Sequence, residues 1–247
     1  MIKQGDCLEL MKELPDDSVD LILTDLPYGV TMAPFDVKLD LPTMWTQFNR
    51  IAKRNAAVCL FAQQPFSSEL VMSNRKFFKY VWTWHKRQCS GFLNAKKQPL
   101  RSCEDVLVFY RSQCTYNPQM HKGKPYKTKR KPPFSKNYNG QIAHSIENDG
   151  EHYYPTTMLE FPLPRFKDGH PQQKPVALLE YLIKTYTNAG ELVLDATMGS
   201  GSTGVAAVNT GRRFIGFETE TKFYDTARRR IDEAIAKREQ SLFKLEA

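Results

Sequence analysis

Residues 191–204 read ELVLDATMGSGSTG, an apolar run that passes through Asp195 into a loop with Gly199, Gly201 and Gly204 in G-x-G-x-x-G spacing. A strand, a glycine turn and then a helix at about 203–211 are the opening of an α/β unit, where glycines allow a tight turn and close packing of helix on strand. The next strand, RFIGFE at 213–218, ends in Glu218, about where such a loop is followed by an acid that binds ribose hydroxyls.

The flanking pattern repeats the theme. A helix is predicted in PVALLEYLIKTYTN before the loop and another from about 221 to 239 after it. Nearer the N-terminus the periodicity predicts a strand at 19–25, a helix at 43–53, a strand at 56–62 and a helix at 67–75, then strands in FFKYVWTW (77–84) and DVLVFY (105–110). Phe78, Trp82 and Trp84 alternate on the first of these two and read as core. From there to about 174 the chain is rich in Pro, Lys, Tyr, Asn and Gly and loses its period, which marks an insertion rather than a second core. The expected fold is therefore α/β and Rossmann-like, with a mostly parallel central sheet and helices on both faces. Residues 1–114 and 166–240 form its two halves, 115–165 the insertion and 241–247 a tail.

Composition limits the partners. No run approaches the roughly 18 apolar residues of a membrane helix, and MIKQGDCLELMKELPDD at the start interleaves charges with apolar residues, so a soluble, cytoplasmic protein is expected. Five cysteines without a C-x-x-C pair suggest reduced thiols, with neither a disulfide framework nor a metal site. The 35 Lys and Arg outnumber the 27 Asp and Glu, and the excess gathers in HKGKPYKTKRKPP at 121–133. There Lys122, Lys124, Lys127, Lys129, Arg130 and Lys131 form either a solvated loop or a run that tracks nucleic-acid phosphates.

Two strand tips carry the chemistry. Asp195 precedes the glycines, where its charge would repel a phosphate but attract an ammonium, and too little chain follows Gly204 for the second half of a dinucleotide fold. A nicotinamide-dependent oxidoreductase thus rests on the glycine spacing alone. A nucleoside without phosphates, S-adenosylmethionine, fits better, with its cationic end near Asp195, its ribose on Glu218, and Ala196, Thr197, Ser200, Ser202 and Thr203 completing the loop. The other tip is LILTDLPYGV at 21–30, where an apolar strand ends by presenting Asp25, Leu26, Pro27 and Tyr28.

Asp25, Pro27 and Tyr28 resemble the (Asp/Asn/Ser)-Pro-Pro-(Tyr/Phe/Trp) motif of the S-adenosylmethionine-dependent amino-group DNA methyltransferases, with Leu26 departing from it. HPQQKP at 170–175 is similar to that family's His-Pro-Thr-Gln-Lys-Pro segment, and Gly5-Asp6-Cys7 to its Gly-Asp pair. The order, catalytic motif first and cofactor loop last, resembles the permuted β class. The resemblance implies a methyltransferase fold acting on double-stranded DNA, without metal, and is compatible with a homodimer. It also implies cofactor contacts from Asp6, Cys7, Gln173 and Lys174, and catalysis by Asp25, the carbonyl of Leu26, Pro27 and Tyr28 on the N6 of a flipped adenine. Cytosine N4 is the alternative target. RNA or protein-glutamine methylation and a non-catalytic DNA-binding module are the remoter readings.

Overall fold

The computed structural model describes residues 1–29, 39–128, 146–164 and 173–246. The chain order is β1 (Ile2–Gln4), α1 (Cys7–Met11), β2 (Val19–Asp25), α2 (Leu41–Ile51), β3 (Ala52–Ala62), α3 (Phe66–Ser73), β4 (Phe78–Ser90) and β5 (Arg101–Phe109). It continues with β6 (Tyr126–Thr128), β7 (Ile146–Asn148), β8 (Met158–Glu160), α4 (Val176–Tyr186), β9 (Leu192–Asp195), α5 (Ser202–Asn209), β10 (Arg213–Glu218) and α6 (Thr221–Glu246). Two compact units result. One comprises 1–117 with 157–247, and the other 118–156.

In the larger unit eight strands lie in the order β1-β10-β9-β2-β3-β5-β4-β8, and five of the seven neighbouring pairs run parallel. The sheet is therefore the mostly parallel one expected from the sequence. β2 is buried along nearly its whole length because both of its faces are covered. Leu21 and Leu23 pack with α4, α5 and α6 residues such as Leu182, Ala206 and Ile231, whereas Val19 and Ile22 pack with α1, α2 and α3 through Met11, Phe48 and Leu70.

Three expectations shift in detail. α2 stops at Ile51 and β3 begins at once, its first turn of polarity hidden in Lys53-Arg54-Asn55, where Lys53 pairs with Asp20 at 2.6 Å. Trp82 and Trp84 do share a face, but Phe78 lies on the other, against Phe109, because the β4–β5 register shifts between Phe78 and Tyr80. α6 runs on to Glu246, so 241–246 is helix rather than tail.

The segment expected as an irregular insertion from 115 to 165 gives up its last part to the main sheet. β8 pairs with β4 and belongs to the main sheet. Within 118–156, β6 and β7 form an antiparallel pair, and Tyr153 packs its ring near His121 and Tyr126. Strands of three residues are too short for a period of two to show in sequence. Among the described residues no helix is long and apolar enough to cross a membrane.

The core contains one polar knot that should set its stability. Tyr186, fully buried on α4, takes the Trp82 indole N–H at 2.6 Å and meets the Tyr80 hydroxyl at 2.8 Å. Tyr186→Phe leaves the indole N–H without an acceptor and should lower unfolding free energy by about 1–3 kcal/mol, read from urea denaturation with the slope unchanged.

Candidate active site

The strands place the chemistry on one rim. β9 leads through α5 outward to β10, while β2 leads through α2 outward to β3, so the strand order reverses between β9 and β2. Crevices at such reversals, at the carboxyl ends of parallel strands, are where α/β folds bind ligands. Asp25 ends β2, Asp195 ends β9 and Glu218 ends β10, while Asp6 follows β1. The Gly5 N–H donates to the Glu218 carbonyl at 2.9 Å, which brings Asp6 beside that strand end. Thr197 ties the halves together, its hydroxyl donating to the Asp25 carbonyl at 2.9 Å and meeting the Thr24 hydroxyl at 2.8 Å.

Asp25 is held on both carboxylate oxygens. Tyr28 donates to Oδ1 at 2.9 Å and Lys174 to Oδ2 at 2.6 Å. Burial and then the Asp25 charge push the Tyr28 hydroxyl well above its ordinary value, so it stays a donor. Its ring lies 5.2 Å from that of Phe66. Leu26, where the family motif has a proline, is buried among the α1–α3 residues and so anchors the turn by packing.

Behind Asp25 stands a network that the sequence did not disclose. Lys174 lies 3.3 Å from Glu104 Oε2 and 5.1 Å from the Phe61 ring centre, and Glu104 Oε1 accepts from Lys86 and, at 2.7 Å, from Gln63. The 3.3 Å approach supplies charge but not direction, and Oε2 makes no hydrogen bond. Burial alone would raise the Glu104 carboxyl, yet Lys174 and Lys86 outweigh it and hold it below its ordinary value. Burial likewise lowers Lys174, but Asp25 and Glu104 more than reverse this. The signal for these residues is parity. Cys59, Phe61 and Gln63, Val108, Val106 and Glu104, and Trp82, Trp84 and Lys86 all share one face, and each series turns from apolar to polar at the rim.

The cofactor-side residues divide by exposure. Asp195 is buried, and its oxygens accept from Thr203 Oγ1 at 2.6 Å and Thr197 N–H at 3.1 Å, so it braces the loop from inside rather than facing outward. Burial pushes its carboxyl up to about 6 against those hydrogen bonds. Ala196, Ser200, Ser202 and Thr203 are buried too, and Arg230 donates to the serines. A Cβ on Gly201 would lie 2.8 Å from the Ala227 methyl, and one on Gly204 would meet the Ile231 side chain. These two glycines therefore serve helix packing. Glu218 accepts from the Gly199 and Glu220 N–H groups, each at 2.9 Å, while Asp6 caps α1. Cys7 is a buried thiol, pushed up to about 12 first by burial and then by Asp6, so it packs and does not react.

Asp6, Glu218, Asp25, Tyr28, Thr197 and Gly199 thus give the rim its accessible groups, and none is cationic. Such a set suits hydroxyls, amines and an ammonium, and is ill-matched to a phosphate. Lys174, expected among the cofactor contacts, is instead bonded to Asp25, with Gln173 half-buried just before it. Residues 170–172 of the HPQQKP segment lie outside the described residues. So do Lys129, Arg130 and Lys131 of the basic run, whereas Lys122, Lys124 and Lys127 are exposed. Lys122 pairs with Glu151 at 2.6 Å, an acid distant in sequence that the local reading of an unopposed run could not see. Among the described residues no cluster of His, Cys, Asp and Glu could hold a metal.

Comparison with known proteins agrees with this layout. A family model described as DNA methylase matches residues 19–229. The DNA adenine methyltransferase YhdJ of Escherichia coli (strain K12) is 28% identical over 251 aligned residues, covering 94% of this chain and 83% of that protein. The structure of M1.HpyAVI in complex with SAM is similar with a TM-score of 0.63 and 25% identity, over 94% of this chain and 98% of that one. The cytosine-N4-specific PvuII DNA methyltransferase shares the fold, with a TM-score of 0.67 at 16% identity over 96% of this chain and 91% of that one.

Glu104→Gln tests the network behind Asp25. Removing one member of a buried ionic cluster leaves Lys86 uncompensated and should cost about 3–5 kcal/mol at neutral pH. Because the folded carboxyl sits below its ordinary 4.5, its stabilisation is complete above that value and is lost as pH falls through the folded one. The stability gap between wild type and Glu104→Gln, measured by urea unfolding, should therefore be largest near pH 7 and narrow below pH 4.5.

Proposed function

This chain belongs to the DNA methylase family, and on that premise we propose that it methylates the exocyclic N6 of adenine in double-stranded DNA. It is an enzyme that methylates an amino group of DNA with S-adenosylmethionine as donor. The observation that carries the finer reading is the Asp25 carboxylate, fixed at the strand reversal opposite the glycine loop by Lys174 and Tyr28.

An exocyclic amine conjugated to a base ring is a poor nucleophile, so its lone pair must be localised. Asp25 uses two of the roughly four lone-pair sites of a carboxylate on Tyr28 and Lys174, which leaves capacity for an N–H of the target. The Leu26 carbonyl is assigned the second N–H, and the two acceptors together turn the nitrogen lone pair away from the ring. Tyr28, backed by Phe66, offers its ring to the extruded base. S-adenosylmethionine, when bound, supplies a methyl group activated by a sulfonium. Glu218 and Asp6 are assigned its hydroxyl and amine donors, and Asp195 holds the loop that receives it. As one half of an ion pair Asp25 orients the amine, and the released proton passes to water. The Asp in this position and the adenine enzyme YhdJ favour adenine over cytosine. Lys122, Lys124 and Lys127, with Lys129, Arg130 and Lys131, are assigned to phosphates.

Asp25→Ala should reduce methyl transfer by about two to three decades while leaving S-adenosylmethionine affinity nearly intact. Glu218→Gln should do the reverse, weakening cofactor binding in calorimetry with little change in DNA affinity measured without cofactor. Digestion of DNA methylated by the wild type should release N6-methyl-2′-deoxyadenosine on mass spectrometry. Release of N4-methyl-2′-deoxycytidine instead would transfer the same mechanism to the other base.

A further inference from the structure

The β4–β5 ribbon stands out on the catalytic rim. Asp25, Phe61, Val106 and Trp82 lie in register across the sheet. β3 ends one residue later at Ala62, but β4 and β5 continue together to Ser90 and Arg101. The five residues from Asp105 to Arg101 carry the ribbon about 17 Å beyond the row of Asp25. It rises on the same side of the sheet edge as Asp25, and its base is tied to Asp25 through Gln63, Glu104 and Lys174, with Arg101 donating to Gln63 at 2.9 Å.

Three features of this ribbon bear on what it meets. Its tip is an ordered turn, with Asn94 N–H on the Gly91 carbonyl at 2.9 Å and Lys97 N–H on the Asn94 carbonyl at 2.8 Å, yet it presents Phe92 at 67% and Leu93 at 102% exposure. From His85 to Cys103 there are five Lys and Arg and no Asp or Glu. Lys86 is buried in the network already described, Arg87 pairs with Glu160 at 3.0 Å and Arg101 donates to Gln63, while Lys96 and Lys97 at the tip are exposed. Arg87 has a positive φ of 57° where the β4–β5 register slips, an arrangement that bends and twists a ribbon at its free end.

We infer that this ribbon is a DNA-inserting element: it enters a groove beside the target base, Lys96 and Lys97 meet phosphates, and Phe92 and Leu93 fill the space in the stack that the extruded base leaves. A major groove about 12 Å wide and 8.5 Å deep admits a two-stranded ribbon, and apolar side chains wedged between base steps are how proteins hold a disrupted stack open. The charge complementarity selects DNA over a second protein copy. The inference rests on the methyltransferase reading, since it needs a base that leaves the stack.

The test uses the full-length enzyme and the DNA word it methylates, identified by sequencing modified bases from cells that express it. Phe92→Ala/Leu93→Ala removes side chains that are mostly exposed. Single-turnover methylation of a paired duplex should fall by about tenfold or more, and a duplex with a mismatch at the target base, which is already partly unstacked, should restore the rate to within about twofold of wild type. Lys96→Ala/Lys97→Ala should flatten the slope of log affinity against log salt by about 1.8, for two phosphate contacts. Unchanged methylation of paired DNA by the tip variant, or an equal loss on paired and mismatched duplexes, overturns the wedge. A wild-type dimer that the tip variant converts to monomer in sedimentation also overturns it, by making the tip a protein contact. If the wild type transfers no methyl group to any DNA, the enzymatic reading fails, while the salt slope still reports separately on whether the ribbon touches DNA.

Discussion

A lysine ammonium shut between two carboxylates governs this site. Lys174 reaches Asp25 at 2.6 Å and Glu104 at 3.3 Å, with the Phe61 ring below it. Moving such charges out of water is costly, and they persist only where each finds an opposite charge. Lys174 therefore needs both acids, Glu104 needs both Lys174 and Lys86, and Asp25 is held by what surrounds Lys174. Two lysines face two acids, so the cluster is internally neutral. It spans β2, β3, β4, β5 and the segment before α4, so the sheet must close in the observed order before the Asp25 carboxylate is fixed.

Linear sequence revealed the parts of this that are local. The glycine loop, the strand ending in Asp25 and the strand ending in Glu218 each carry their signal within about ten residues, and the structure places all three on one rim. The helix and strand alternation was legible for the same reason, since periods of 3.6 and 2 repeat within a single element. Glu104 was not legible, because an acid in RSCEDVLVF looks like a surface residue until the register shows that it shares a face with Val106 and Val108. Lys174 was placed by its motif on the cofactor side, and only the fold shows that it turns to Asp25. β1 and α1 were missed because three and five residues are too few to establish a period.

The glycine loop shows how a motif can be found for one reason and built for another. Its spacing suggested contact with a nucleotide, yet Gly201 and Gly204 are small because α6 passes over them, and Asp195 is spent on Thr203 and the Thr197 N–H. What remains for a ligand is the edge, namely Thr197, Gly199 and the carboxylate of Glu218. A loop built this way is rigid before anything binds. Less ordering is then left to be done on binding, and the ligand meets a fixed set of acceptors.

Charge divides the larger unit according to what each part must meet. The rim between β1 and β2 presents Asp6, Glu218 and Asp25, with Asp195 beneath, which suits a ligand that brings hydroxyls and positive charge. From His85 to Cys103 the ribbon carries Lys and Arg without a single acid, which suits a polyanion. Both sit on the edge of the sheet where its parallel strands end, so an acidic pocket opens on the same rim as a basic arm. The Debye length is only about 8 Å at physiological salt, and Lys96 and Lys97 sit in the turn at the far end of a ribbon about 17 Å long. The sheet therefore lets one edge favour a cation and the other a phosphate backbone, and the neutral Lys86–Glu104–Lys174–Asp25 cluster occupies the boundary between them.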